Sequence, residues 1–139
     1  LRALVEEEKR SLIMITHSLG VVRELVDRIY VMYAGNIVEN CGTAELFKNP
    51  LHPYTQGLLA CVPRLSGGGI SAGIYGYIPS YVDPPKGCRF FNRCPHCTER
   101  CKQEKPGAYQ VADGHTVSCF LYENAGKDTT KEEVAEHVE

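Results

Sequence analysis

Residues 11–42 read SLIMITHSLGVVRELVDRIYVMYAGNIVENCG, and this stretch decides the fold. Ser11–Thr16 is a short, nearly all-apolar run with branched side chains. That pattern predicts a strand buried on both faces of a parallel sheet. Leu19, Val22, Leu25 and Val26 then fall on one side of a helix, with Ser18 placed to cap it through a backbone N–H. Arg28–Gly35 reads as a second strand, and Ala34-Gly35-Asn36 as a tight turn into a third, Ile37–Gly42, so the last two form a hairpin. Strand, helix and strand in this order predict an α/β fold. His17 closes the first strand at its carboxyl end, where open α/β sheets bind ligands. On position alone it reads more simply as a loop histidine bonded to backbone.

Working outward, residues 1–10 read as the end of a helix, with Leu1, Leu4, Val5 and Glu8 at helical spacing. Thr43 opens a short helix over TAELFKN. NPLHPYTQGLLACV turns at Pro50 and starts another near Pro53, where proline suits the first helical position. From Pro63 the chain turns Gly- and Pro-rich and reads as an irregular linker to residue 86. A cysteine-rich segment spans 87–122, and an acidic tail spans 123–139. The tail carries a capping-box pattern, Thr130 to Glu133, that predicts a helix. The domain plan is therefore 1–62, 63–86, 87–122 and 123–139.

The 139 residues carry a net charge of −2 and are 43% hydrophobic and 23% charged, as in an ordinary globular protein. No global basic field points to nucleic acid, and no apolar run reaches the roughly eighteen residues a bilayer demands. The amino-terminal residues lack the order of a secretory signal, so a reducing compartment is expected. The charge is uneven. Lys86–Lys105 holds six basic and two acidic residues, a local +4, and Glu123–Glu139 two basic and six acidic, a local −4. Both read most simply as solvated surface.

Seven cysteines are many for such a chain, and their odd number argues against a closed disulfide framework. Five cluster: Cys88, Cys94, Cys97, Cys101 and Cys119. Cys94-x-x-Cys97 alone suits zinc, since two thiolates on one turn can share a tetrahedral ion. Four thiolates also suit a [4Fe–4S] cluster, one per iron, and metal-free or oxidised thiols remain a third reading. Arg89, Arg93, Arg100 and Lys102 stand beside the cysteines and are expected to offset an anionic centre. Phe90 and Phe91 are expected to exclude water, and Pro84, Pro85 and Pro95 to stiffen the loops. A segment this small needs a metal or crosslink to fold. Cys41 and Cys61 read as small buried apolar residues, and His115 as a candidate outer donor to the cysteine site.

Residues 11–59, from SLIMITHS through NPLHPYTQGLL, resemble the last third of an ABC transporter ATP-binding subunit. NPLHPYTQGLL narrows this to the oligopeptide/dipeptide importer branch, and GYIPSYVDPPKGCRFFNRC is similar to that branch's carboxy-terminal extension. The resemblance covers residues 1 to about 122. It implies an ABC-type nucleotide-binding domain in its carboxy-terminal part, followed by a small irregular cysteine-rich extension. It implies that His17 is the switch histidine, catalytic and nucleotide-binding in an intact subunit, donating to the γ-phosphate of ATP. The family usually follows this histidine with Asp, where this chain has Ser18.

The resemblance also implies that Cys88, Cys94, Cys101 and Cys119 ligate a [4Fe–4S] cluster, with zinc as the alternative metal and Cys97 as an alternate ligand. ATP and Mg²⁺ are the cofactors of the intact subunit. Its implied partners are a second ATP-binding subunit and transmembrane permease subunits, at the cytoplasmic face of the membrane. No phosphate loop, signature segment or acidic Mg²⁺-binding strand end occurs in these residues. The chain is therefore expected to be a carboxy-terminal fragment that does not hydrolyse ATP alone and that self-associates. The competing expectation is a free-standing metal-binding module.

Overall fold

A computed structural model describes residues 5, 7–62, 73–78, 80 and 82–125. The expected tail helix and the first part of the Gly/Pro-rich stretch lie outside the described residues, as do residues 1–4 and 6 of the helix expected over 1–10.

Helix α1 (Leu19–Leu25) forms on the predicted apolar spacing. Ser18 is its N-cap residue, but its side chain makes no capping bond; the Ser18 amide donates instead to Thr16 Oγ1 at 3.0 Å. Strands β1 (Arg28–Tyr33) and β2 (Asn36–Gly42) form the predicted hairpin, with Val31 opposite Glu39 and Tyr33 opposite Asn36. Its turn residues Ala34 and Gly35 both have positive φ, 47° and 79°. That is the two-residue turn whose twist matches the strands, and glycine takes it without strain. Helices α2 (Thr43–Lys48) and α3 (Pro53–Ala60) follow as expected, the second with proline at its start.

Ser11–Thr16 does not form a strand. A strand buried on both faces needs a ladder on either side, and no described strand pairs with it. Ile13 and Ile15 are consequently 93% and 99% exposed. The sheet that does form is antiparallel, four strands in the order β1-β2-β4-β3. The cysteine-rich stretch, expected to be irregular, supplies helix α4 (Glu99–Gln103) and strands β3 (Tyr109–Ala112) and β4 (His115–Val117). β4 pairs with β2, Glu39 opposite Val117 and Asn40 opposite Thr116. The fold is thus a mixture of short helices and one small antiparallel sheet.

The core joins both stretches. Val31, Tyr33, Val38, Cys41 and Leu46 bury against Phe90 from the cysteine-rich stretch, which is 2% exposed. The Phe90 ring meets Tyr33 edge-on at 5.1 Å and Tyr54 at 5.6 Å, geometries that favour aromatic pairs. Cys41 is buried as expected; Cys61, at the end of α3, is exposed.

Candidate functional site

A buried carboxylate organises the ground beneath the site. Glu39 lies on β2 facing inward, 1% exposed. Its Oε1 accepts from the Leu51 amide at 2.8 Å and its Oε2 from the His52 amide at 2.9 Å. His115 Nε2, from β4, lies 2.9 Å from Oε1. A buried charge is tolerated when it is fully hydrogen-bonded, and here the bonds clamp the turn before α3. Glu39, Cys41 and His115 place one ligand atom each within 4.8 Å of one another. Both Glu39 oxygens are already committed, so this trio reads as structural. His115, expected to serve the cysteine site, serves Glu39 instead.

The clamped turn delivers His52. It is the N-cap of α3, its Nδ1 accepting the Tyr54 amide at 3.0 Å. Its ring is 1% exposed and packs 5.7 Å from Phe90. Burial pushes its pKa down to about 4, against the pull of Glu39, so the ring is neutral near pH 7. An Nδ1 that accepts leaves the proton on Nε2.

His52 lines a cavity of about 110 Å³ whose other walls include Cys88, Cys94, Cys101, Cys119 and Phe90. The four cysteines that the sequence singles out therefore converge from distant positions. Cys97 is not among the cavity's lining residues; its thiol donates to the Thr98 carbonyl at 3.5 Å and also pairs with the Cys101 side chain. Backbone crossings hold the ligand loops together. The Cys88 amide donates to the Cys101 carbonyl at 2.8 Å. A Cβ on Gly87 would run into that carbonyl and come within 2.6 Å of the Lys102 backbone, so only glycine fits the crossing.

Each of the four sulfurs has a hydrogen-bonding neighbour. The backbone amides of Phe90, His96 and Leu121, each two residues on, reach Cys88, Cys94 and Cys119. The Thr98 hydroxyl lies 3.3 Å from Cys101 Sγ and is the donor whenever that sulfur is a thiolate. These bonds favour ionised sulfur. Burial works against them and wins: it raises Cys88 and Cys119 and pushes Cys94 up to about 11, with neighbouring thiols adding to the rise.

The basic residues expected to neutralise the site are engaged elsewhere. Arg89 donates to the Ala34 carbonyl at the hairpin turn. Arg93 donates to the Tyr75 and Ile74 carbonyls at 2.9 and 2.6 Å. Arg100 bridges Glu104 and Glu123 and lies 4.1 Å above the Phe120 ring, and Lys102 pairs with Glu99. No Arg or Lys lines the cavity among the described residues. Guanidinium groups favour carbonyls and carboxylates they can grip with several bonds, and these neighbours offer them. His17 is exposed and is not among the cavity's lining residues.

His52 and Thr98 escaped the sequence reading. Histidine just before a helix-starting proline was a signal for a cap, but nothing local shows that its second nitrogen is left over.

Hairpin, clamped turn and cysteine pocket together carry the features of a known class. Residues 38–101 match the family described as oligopeptide/dipeptide transporter, C-terminal region, and the chain belongs to this family of transporter ATP-binding proteins. Among its relatives, the oligopeptide transport ATP-binding protein AppD of Bacillus subtilis (strain 168) is 42% identical over 130 residues, 92% of this chain and 39% of that protein. The AppF protein of the same organism is 45% identical over 123 residues, 86% of this chain and 37% of that protein. The dipeptide transport ATP-binding protein DppD of Escherichia coli (strain K12) is 38% identical over 128 residues, 91% and 39% respectively. The chain thus spans under two fifths of the length of these relatives. Family membership favours a transporter component over a free-standing metal-binding module.

Proposed function

We propose that this chain is part of an ATP-binding subunit that powers ABC-type import of oligopeptides or dipeptides. It acts at the cytoplasmic face of the membrane, beside a second ATP-binding subunit and beneath permease subunits. The observation that carries this reading is the 42% identity to AppD across 92% of the chain. In this reading His17 is the switch histidine of the intact subunit, an exposed imidazole able to donate to a phosphoryl oxygen. The exposed Ile13 and Ile15 support contact of this edge with further protein. The chain alone does not turn over ATP, because it carries no loop of amides to cradle a triphosphate.

The cysteine pocket, in the same reading, holds a [4Fe–4S] cluster through Cys88, Cys94, Cys101 and Cys119. Three properties of the pocket support this. Four sulfurs wall one cavity, each has a hydrogen-bonding neighbour, and aromatic rings shield it. Iron–thiolate bonds would pin helix α4, the Cys88 loop and the stretch after β4 to one point.

Two measurements test the reading. Iron and sulfide content with visible absorption of anaerobically prepared chain should give a cubane signature that Cys88→Ser or Cys119→Ser abolishes; zinc alone, or no metal, refutes the cluster. In cells, His17→Ala in the complete subunit should abolish uptake of a labelled peptide. Undiminished uptake, or Mg²⁺-dependent ATP turnover by the chain alone, refutes the transport reading as stated.

A further inference from the structure

The four cysteines account for the ligands but not for the neutral donor buried beside them. His52 is 1% exposed, and Nδ1 is consumed by the Tyr54 amide. Nε2 therefore bears the ring's proton and has no hydrogen-bond partner among the described residues. Thr55 Oγ1 is the one fully buried side-chain nitrogen or oxygen without a partner among the described residues, so Nε2 keeps accessible surface, and the cavity that His52 lines is where it can meet an acceptor. The ring is held on both sides: Glu39 grips its backbone amide at 2.9 Å, and Phe90 packs against its face. The cavity it lines is walled by thiols. An anionic, sulfur-rich occupant would supply the missing acceptor. No Arg or Lys among the described residues competes for that role at the cavity.

We propose that His52 is a positioning residue for the pocket's occupant, donating an Nε2–H hydrogen bond to a sulfur of the thiolate-ligated cluster and so stabilising its negative charge. This rests on the cluster reading given above. It makes the HPY turn of the first stretch a direct contributor to a centre whose ligands all lie in the second. The bond is neutral-to-anion, which suits a site where burial already resists charge. Hydrogen bonds to cluster sulfurs are among the levers that set reduction potential, and a donor stabilises the more negative, reduced state. Losing it lowers the potential and loosens retention.

Two reciprocal variants of the full chain separate the roles of the two ring nitrogens. His52→Asn keeps an N-cap acceptor for Tyr54 but is too short to present a donor to the cavity. His52→Gln reaches the cavity with an amide N–H but gives up the cap. After anaerobic reconstitution with iron and sulfide, His52→Asn should melt like wild type yet show a lower midpoint potential. Its visible absorbance should also bleach about tenfold faster in the presence of a chelator, the effect of one charge-assisted bond. His52→Gln should retain the potential while its helix α3 is less stable. In wild type labelled with ¹⁵N-histidine, pulsed EPR of the reduced cluster should show a nitrogen coupling that His52→Asn removes. A wild-type potential and bleaching rate in His52→Asn overturn the inference and leave the cluster reading standing. Should that variant fail to fold, absence of the nitrogen coupling in wild type overturns it equally. A wild-type chain that takes up no iron overturns both.

Discussion

Replacing Glu39 by Gln changes one oxygen to an NH₂ group, and the structure says what that does. Oε1 receives the Leu51 amide and faces His115 Nε2; Oε2 receives the His52 amide. Glutamine keeps a single oxygen. Turned one way, its NH₂ confronts the His52 N–H; turned the other, it confronts the Leu51 N–H. A tautomer change at His115 relieves neither clash, because both opposing donors are backbone. At least one buried amide therefore loses a charged acceptor and meets a second donor. A hydrogen bond to a charged group contributes about 1.5–3 kcal/mol, and an orphaned buried donor costs about 1–3 kcal/mol. The two overlap, so a net loss of about 3 kcal/mol is expected. Urea denaturation of reduced, metal-free wild type and variant measures it directly, with the same slope and a lower midpoint. Hydrogen exchange should accelerate at the Leu51 and His52 amides before elsewhere. A variant within about 0.5 kcal/mol of wild type would show that Glu39 is not the clamp described above.

Three further outcomes follow from single positions. Gly87→Ala should cost at least about 2 kcal/mol, since a Cβ collides with the crossing Cys101 and Lys102 backbones; an unchanged melting temperature refutes the crossing. Thr55→Val should stabilise by about 1 kcal/mol, because the Thr55 hydroxyl is buried without a partner; denaturant melts decide the sign. Burial holds the Cys41 thiol up to about 11 against an ordinary value of 9.0. The folded state thus keeps a proton that the unfolded state gives up, and stability present below pH 9 drains away as pH rises through 11. The Cys41 contribution is about 2–3 kcal/mol, and Cys41→Ala should flatten the alkaline slope by that amount; parallel slopes for the two proteins would be the contrary result.

Local signals in the sequence carried the hairpin, the helix before it and the two helices after it. The apolar run of β1, the tight turn at Ala34-Gly35-Asn36 and a proline at a helix start all act over a few residues. The convergence of Cys88, Cys94, Cys101 and Cys119 was legible from spacing together with the family resemblance. What escaped was non-local. The pairing of β2 with β4 joins Glu39 to Val117, and short strands with half-exposed faces leave little pattern of their own. Glu39 reads locally as a surface residue; its burial depends on amides of the 51–52 turn and a histidine on β4. The misread basic residues have the same origin, since proximity in sequence put them beside the cysteines while better acceptors lay elsewhere. Ser11–Thr16 shows the converse: an apolar run encodes a readiness to be covered, not the neighbour that does the covering.

The strand order β1-β2-β4-β3 interleaves early and late parts of the polymer in one hydrogen-bonded surface. With Phe90 seated in the hairpin's core, the two parts grip each other without relying on the peptide connection between them. A protease cut after α3 would therefore be silent in native gels and visible only under denaturing conditions. The two pieces should also reassemble when mixed from separate solutions.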